Sequence, residues 1–225
     1  MLDLKKYKKL PRFIAVEGPI GVGKTTLAKL LADSFGYETF LEKPFENPFL
    51  ADFYINPSQG ALATQLFFLF QRVKQIQEIK QNDIFFPIRV SDFLLEKDQL
   101  FAKATLSKPE LSLYKQIYDY LSLDLPSPDI VIYLQAETKT LLQRVVQRGI
   151  NIEKNISYDY LDLLNESYKE FFLDFERCPV LVVNSEFLNL VERKDDYILL
   201  LSKLLEYFNN PKSSMMYFNP APSLV

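Results

Sequence analysis

A glycine-rich segment near the N-terminus combines residue types that bind phosphate. Gly18, Gly23, Lys24 and Thr25 fit the pattern G-x-x-x-x-G-K-[ST], after a strand-like apolar run at 12–17 and before a helical pattern. Glycines let backbone N–H groups turn toward an anion, and the helix N-terminus adds the positive end of its dipole. The segment predicts a nucleoside triphosphate site in which Lys24 reaches the β- and γ-phosphates and Thr25 ligates Mg²⁺. The residues expected to contact this triphosphate are Gly18, Pro19, Ile20, Gly21, Val22, Gly23, Lys24, Thr25 and Thr26.

A carboxylate follows the second strand candidate, "ETFLEK" at 38–43. Glu42 stands at the end of this strand, where ligands of open α/β sheets collect. The chain has no histidine, so a carboxylate, lysine, tyrosine or water must carry any proton transfer near neutral pH. Glu42 is therefore a candidate general base, although a glutamate here could equally form an ion pair or a solvated cap.

The helical pattern at 60–81 places a glutamine and an arginine seven residues apart on one face. Gln65 and Arg72 share that face with Phe68 and Leu69. An amide and a guanidinium among aromatic side chains could hydrogen-bond the edge of a flat heterocycle. The alternative is an amphipathic surface helix on which Arg72 is a solvated charge.

Two arginines occur one helical turn apart in "LLQRVVQRGINIEKN". The i, i+4 spacing of Arg144 and Arg148 puts both guanidinium groups on one face, which suits a transferring phosphoryl group. A solvated helix face is the competing interpretation.

The order of elements predicts an α/β fold. Five strand candidates, at 12–17, 38–43, 84–91, 129–135 and 179–185, alternate with helical patterns at 60–81, 109–121, 137–147, 156–175 and 192–208. Such alternation implies a parallel sheet flanked by helices on both faces. We expect one domain over 1–210 with a lid at about 144–156, and a proline-containing tail over 211–225 that is extended or disordered.

Bulk composition limits the function classes. Among 225 residues, 48% are hydrophobic and the net charge is −3, so electrostatics do not favour binding to nucleic acid or to a membrane. Without histidine, His-based triads and the usual zinc catalysis are excluded. One cysteine, Cys178, and the lack of a secretory signal favour a cytoplasmic location.

Taken together, these segments resemble the deoxyribonucleoside kinase family, most of all its bacterial deoxyadenosine/deoxyguanosine kinase branch. "FIAVEGPIGVGKTT", "ENPFLADFYINP", "TQLFFLFQR" and "YLDLLNESYKEFF" carry the similarity, which extends over about 12–185. It implies a P-loop kinase fold, ATP and Mg²⁺ as cofactors, a deoxyribonucleoside acceptor and a homodimer formed through 60–81 and 109–121.

The resemblance also implies residue roles. Glu42 would deprotonate the 5′-hydroxyl, Tyr54 and Glu166 would hold the 3′-hydroxyl, and Asp92 would join Thr25 at Mg²⁺. The groups that contact the base would be Gln65, Arg72, Asp98 and Phe101, and the groups that act on the phosphates would be Lys24, Arg144 and Arg148.

Two motifs depart from the family pattern. The family's Asp/Glu-Arg-Ser reads Asp92-Phe93-Leu94, and its lid Arg-Gly-Arg ends in Ile150. Lys97 and Lys154 are the basic residues that could replace the missing charge.

Three hypotheses remain: a deoxyribonucleoside kinase that favours purines, a nucleoside monophosphate kinase, and a nucleotide-binding regulatory relative with impaired catalysis. The intact phosphate loop and Glu42 favour the first.

Overall fold

A six-stranded parallel sheet forms the centre of the fold. The computed structural model describes residues 4–56, 60–82, 89–121, 127–190, 193–211 and 213–220. The strands are β1 (Phe13–Glu17), β2 (Glu38–Phe40), β3 (Arg89–Ser91), β4 (Ile130–Gln135), β5 (Val180–Asn184) and β6 (Met215–Phe218). Their order across the sheet is β2-β3-β1-β4-β5-β6, and every neighbouring pair is parallel.

Helices connect the strands. They are α1 (Lys24–Phe35), α2 (Leu50–Ile55), α3 (Ala61–Asn82), α4 (Lys97–Thr105), α5 (Lys108–Leu121), α6 (Thr138–Arg148), α7 (Tyr158–Leu173) and α8 (Lys194–Asn209). Short 3₁₀ turns occupy Leu4–Lys6, Pro44–Glu46 and Asn151–Asn155. No helix in the described ranges is both long and apolar enough to cross a membrane.

The expected α/β fold with a parallel sheet flanked by helices is confirmed, but the expected number of strands is wrong. The described residues form six strands, because Met215–Phe218, within the predicted tail, pairs with β5. The strand expected at 38–43 ends at Phe40. Of the strand expected at 84–91, only Arg89–Ser91 is seen, and 84–88 lie outside the described residues.

Alternate strand residues point to opposite faces of the sheet, and each face has its own apolar core. Val16 and Ile132 belong to a cluster that includes Leu31 of α1 and Leu200 of α8. Val131 and Val182 belong to a second cluster, which includes Tyr168 of α7. Since both faces are covered, the strands read as continuous apolar runs rather than as alternating patterns.

Strand order reverses around β1, which lies between β3 and β4. Chains leaving β1 and β4 turn to different sides, so a crevice opens at the carboxyl ends of the strands. Glu17 ends β1, Glu42 follows β2, and Asp92 directly follows β3. The topology therefore gathers three carboxylates beside the glycine-rich segment.

Candidate active site

The glycine-rich segment forms a tight loop because two glycines adopt backbone conformations that other residues avoid. Gly18 has φ +146°, and a Cβ on it would lie 2.4 Å from the backbone oxygen of Leu134. Gly21 has φ +85°, and its Cβ would lie 2.7 Å from the backbone oxygen of Leu141. The loop thus lies directly against β4 and α6, which leaves no space for a side chain at either position.

The N-terminus of α1 is open to an anion. Its N-cap is Gly23, in the left-handed conformation, which offers no side chain to the first N–H groups of the helix. Those groups and the positive helix end suit a phosphate.

Lys24 is folded back onto the loop. Its Nζ donates to the backbone oxygens of Gly18 (2.8 Å) and Pro19 (3.1 Å). Burial lowers the pKa of Lys24, and the positive charge of Lys97 lowers it further. A bound phosphate would supply the negative charge that these neutral carbonyl groups lack.

A cavity of about 740 Å³ opens over the loop. Both arginines expected at the phosphates, Arg144 and Arg148, line it. Arg144 donates to the backbone oxygen of Ser185 (2.9 Å), and its pKa is lowered by burial. The other lining residues are Gly21, Val22, Gly23, Lys24, Thr25, Thr26, Gln147, Ser185, Glu186, Phe187, Leu188, Asn189, Leu190 and Arg193. The cavity has the size of a small-molecule site and carries the cations that a triphosphate requires.

Asp92 links this loop to the carboxylate after β2. One of its oxygens accepts from the Thr25 hydroxyl, and the other accepts from the Glu42 backbone N–H at 2.7 Å. Burial, reinforced by the charge of Glu42, raises the pKa of Asp92. One hydroxyl and one carboxylate fit Mg²⁺, which usually takes only one or two protein ligands and completes its shell with phosphate and water. Within the described residues, no group of three or more acidic or cysteine side chains is placed to hold a metal by itself.

Glu42 is held among cations. Arg72 donates to Glu42 Oε1 through both Nε and Nη2, and Lys97 Nζ lies 2.8 Å from the same oxygen. Burial opposes ionisation of Glu42, but the charges of Arg72, Lys97 and Lys24 outweigh it and hold the pKa of Glu42 well below its usual range. Glu42 is consequently an ionised carboxylate at neutral pH, which is the protonation state that a general base requires.

Arg72 is a buried residue rather than a solvated charge, with 4% of its surface exposed. Besides Glu42, its guanidinium contacts the Asp98 carboxylate and lies 5.0 Å from the centroid of the Phe68 ring. Gln65 is also buried, and its amide lies 3.4 Å from the Thr105 hydroxyl. The structure therefore brings Arg72 and Asp98 together beside Glu42.

Two predicted aromatic residues lie around this cluster. The Phe101 ring is 5.9 Å from Lys97 Nζ and packs edge-on against Tyr168. Tyr54 packs edge-on against Tyr160, and burial, the charge of Glu153 and the charge of Glu42 raise its pKa.

The structure does not support the expected partnership of Tyr54 and Glu166. Glu166 lies on the exposed side of α7, where its carboxylate pairs with Lys169 Nζ at 2.6 Å. Two acidic side chains act on Tyr54 through their charges, Glu153 first and then Glu42. Of these, Glu153 is 9% exposed and pairs with Arg148. Glu153 therefore replaces Glu166 as the candidate at this position. Glu153 lies in the short 3₁₀ turn Asn151–Asn155, which shows no periodicity from which the sequence could predict that this side chain is buried.

The structure also distinguishes the two lysines that could replace the missing arginine. Lys97 is buried and contacts Glu42, whereas Lys154 is exposed. Phe93, at the position of the motif arginine, is 1% exposed in an apolar cluster with Phe53 and Leu69. Lys97, four residues after the position of the motif arginine, thus places a cation beside Glu42.

Comparison with known proteins shows the family. A family model described as "Deoxynucleoside kinase" matches residues 14–208. The chain belongs to the deoxynucleoside kinase family. The matched range includes the phosphate loop, Glu42 and the cluster around Arg72.

Individual relatives are kinases of the same family. The deoxyguanosine kinase of Bacillus subtilis (strain 168) is 37% identical over 193 residues, which cover 82% of this chain and 92% of the relative. The deoxyadenosine/deoxycytidine kinase of the same organism is 33% identical over 181 residues, covering 77% and 82%. A solved structure of deoxyadenosine kinase from M. mycoides with bound dATP has a TM-score of 0.75 at 29% identity, and the match covers 86% of this chain and 98% of that one. This chain is therefore a deoxynucleoside kinase.

Proposed function

We propose that this deoxynucleoside kinase transfers the γ-phosphoryl group of ATP to the 5′-hydroxyl of a deoxyribonucleoside and prefers purines. The observation that carries the proposal is the hydrogen-bonded path Thr25–Asp92–Glu42. It connects the phosphate loop to the backbone of Glu42, whose carboxylate is ionised and surrounded by cations. A donor phosphate and an acceptor hydroxyl can meet at this point.

Different residues of this chain would bind the triphosphate, accept the proton and hold Mg²⁺. The loop, Lys24, Arg144 and Arg148 bind the triphosphate, and Glu42 accepts the proton of the 5′-hydroxyl. Mg²⁺, held by Thr25 and Asp92, would neutralise charge on the phosphates. The lid, at about 144–156, would bring Arg148 over the donor.

The acceptor would lie against the buried polar cluster. Arg72 and Asp98 offer donors and an acceptor to the edge of a base, with Gln65 as a further amide and Phe101 as an apolar wall. Tyr54 and Glu153 would hold the sugar 3′-hydroxyl. The names of the two relatives support a purine, since each includes one: deoxyguanosine kinase and deoxyadenosine/deoxycytidine kinase.

A nucleoside monophosphate acceptor is less well supported. Its phosphate would need cations, and the two in 42–56 and 60–72 are already paired: Lys43 with Glu46, and Arg72 with Glu42 and Asp98.

We also infer a homodimer formed through α3 and α5. Exposed apolar side chains on these helices, Phe70, Leu113 and Tyr120, support it. Light scattering after gel filtration would measure twice the chain mass of 26.3 kDa, and a monomer at micromolar concentration would contradict it.

The test of the function is a panel of the four deoxynucleosides with ATP and Mg²⁺, scored for monophosphate, with Glu42→Gln as the variant. The variant should lose turnover and still bind a fluorescent ATP analogue, because Glu42 does not line the donor cavity. Glu46→Gln is a matched control, since Glu46 is exposed and close in the chain. Unchanged turnover in Glu42→Gln would refute the role of Glu42, and the lack of any monophosphate from the unmodified enzyme would refute the function.

A further inference from the structure

Lys97 is a buried cation for which the roles proposed above have no use. It is the first residue of α4 and is 2% exposed. Its Nζ lies 2.8 Å from Glu42 Oε1 and 3.2 Å from Glu17 Oε1. Burying an ammonium group is costly unless it is paired, and these two carboxylates supply the pairing.

Glu17 holds Lys97 in a fixed position. One oxygen of Glu17 accepts from the Leu94 backbone N–H (3.0 Å), and the other accepts from the Gly18 N–H (2.7 Å) and the Tyr168 hydroxyl (2.9 Å). The carboxylate thus ties together the phosphate loop, the segment before α4, and α7. Glu17 is completely buried, and Lys97 Nζ contacts both Glu17 and Glu42.

The contacts of Glu42 leave one of its oxygens open. In the part of the chain that the structure describes, Arg72 and Lys97 both bind Oε1. No contact to Oε2 is found among the described residues. Oε2 can therefore take the proton of an acceptor hydroxyl while Lys97 remains beside the same carboxylate.

We propose that Lys97 is a catalytic residue whose ammonium group contacts the acceptor oxygen and then the transferring phosphoryl group. This role rests on the proposed function. In the step, the 5′-O–H bond breaks and its proton passes to Glu42. The new bond joins the 5′-oxygen to Pγ, and the bond from Pγ to the β-phosphate oxygen breaks, with its electron pair leaving on ADP. Lys97 stays protonated throughout and stabilises charge that develops on these oxygens.

The locations of Lys24 and Lys97 support this role of Lys97. Lys97 Nζ lies 2.8 Å from Glu42 Oε1, whereas Lys24 Nζ is held on the loop by the backbone oxygens of Gly18 and Pro19. Lys24 belongs to the donor loop and Lys97 to the acceptor side. A phosphoryl group that moves between them would keep a cation on each side.

The experiment compares Lys97→Met, Lys97→Arg and Lys103→Met with the unmodified enzyme. Lys103 lies on the same helix and is exposed, so it controls for the loss of a positive charge on α4. Each protein is measured for kcat and for the KM of the preferred deoxynucleoside. Binding of a fluorescent ATP analogue reports whether the variant is folded.

We expect Lys97→Met to lower kcat by about 100- to 1,000-fold, as for the loss of one group that stabilises transition-state charge, and to change KM by less than about threefold. Lys97→Arg should recover kcat to within about tenfold of the unmodified enzyme, and Lys103→Met should match it. If Lys97→Met does not bind the ATP analogue, Lys97→Gln is measured in its place. The glutamine amide is uncharged but can still contact the carboxylates of Glu17 and Glu42.

The role is overturned if the uncharged variant keeps kcat within about threefold, or if Lys97→Arg falls as far as Lys97→Met. An effect on KM alone would also overturn it. If the unmodified enzyme phosphorylates no deoxynucleoside, the proposed function fails and the role of Lys97 fails with it. An active enzyme with an equally active Lys97→Met variant refutes Lys97 alone.

Discussion

Glu153 gives a sharp test of how the sugar is recognised. Replacing Glu153 with Gln keeps the size of the side chain and removes its charge. The Glu153 side chain is 10% exposed, and its charge acts on Tyr54. A hydrogen bond from a sugar hydroxyl to such a carboxylate is worth about 1.5–3 kcal/mol, which corresponds to about a 10- to 150-fold loss in kcat/KM.

Stability should change much less than activity. Among the described residues, Glu153 forms one ion pair, with Arg148, whose side chain is 44% exposed. Solvent screens such a pair, so its loss costs at most about 1 kcal/mol in the free energy of unfolding. Urea unfolding of the variant would measure this difference.

The assay uses two substrates for each protein: the preferred deoxynucleoside and its 2′,3′-dideoxy analogue, which lacks the 3′-hydroxyl. In the unmodified enzyme, the analogue should have a much lower kcat/KM, because the groups that would bind the hydroxyl are left unpaired. In Glu153→Gln, the ratio between the two substrates should shrink. Tyr54 remains, so the ratio should not reach one.

Glu166→Gln is the matched control, since Glu166 is an exposed glutamate paired with Lys169. It should keep both the rate and the discrimination. The reasoning is refuted if Glu166→Gln loses discrimination, or if Glu153→Gln keeps the ratio of the unmodified enzyme.

Two further predictions concern stability and reactivity. Arg72→Met should lower the free energy of unfolding by about 3–5 kcal/mol in urea titrations, because Glu42 and Asp98 lose the buried cation that they share. The control is Lys74→Met, at an exposed position, which should change the free energy of unfolding little. Equal effects of the two substitutions would contradict the stabilising role of Arg72. Burial raises the pKa of the Cys178 thiol to about 12, so about one molecule in 10,000 carries the thiolate at pH 8, and iodoacetamide should modify the folded protein about 1,000-fold more slowly than the unfolded one. Mass spectrometry would measure both rates, and a difference below tenfold would argue against a shielded thiol.

Local patterns were sufficient for most of the fold. Long helices such as α3 and α7, and apolar strands such as β4, have a periodicity that the sequence displays directly. β6 was missed because a four-residue edge strand is too short to show a period, and Met215–Phe218 lies in a proline-containing segment. Its pairing with β5 is a long-range contact that no local pattern encodes.

Residues of the candidate site could be predicted from the sequence where they belong to a compact motif. The phosphate loop, Glu42 and Arg72 fall in such segments, and the structure brings them to one end of the sheet. Glu153 was missed because a carboxylate in a 3₁₀ turn looks solvated until α2 and α6 are packed around it. The sequence could not decide between Lys97 and Lys154 as the replacement for the missing arginine. Lys97 is buried because it pairs with Glu17 and Glu42, and these two carboxylates are far apart in the sequence.

The sixth strand has a practical consequence. β6 takes up the hydrogen-bonding edge of β5, and β5 leads directly into Ser185–Leu190 at the donor cavity. Truncation before residue 213 would uncover this edge, and an exposed edge strand is a template for pairing with another chain. Such a protein would become prone to self-association at the side of the molecule where ATP is proposed to enter. Met215–Phe218 thus covers the edge of the sheet, although no chemistry is assigned to these residues.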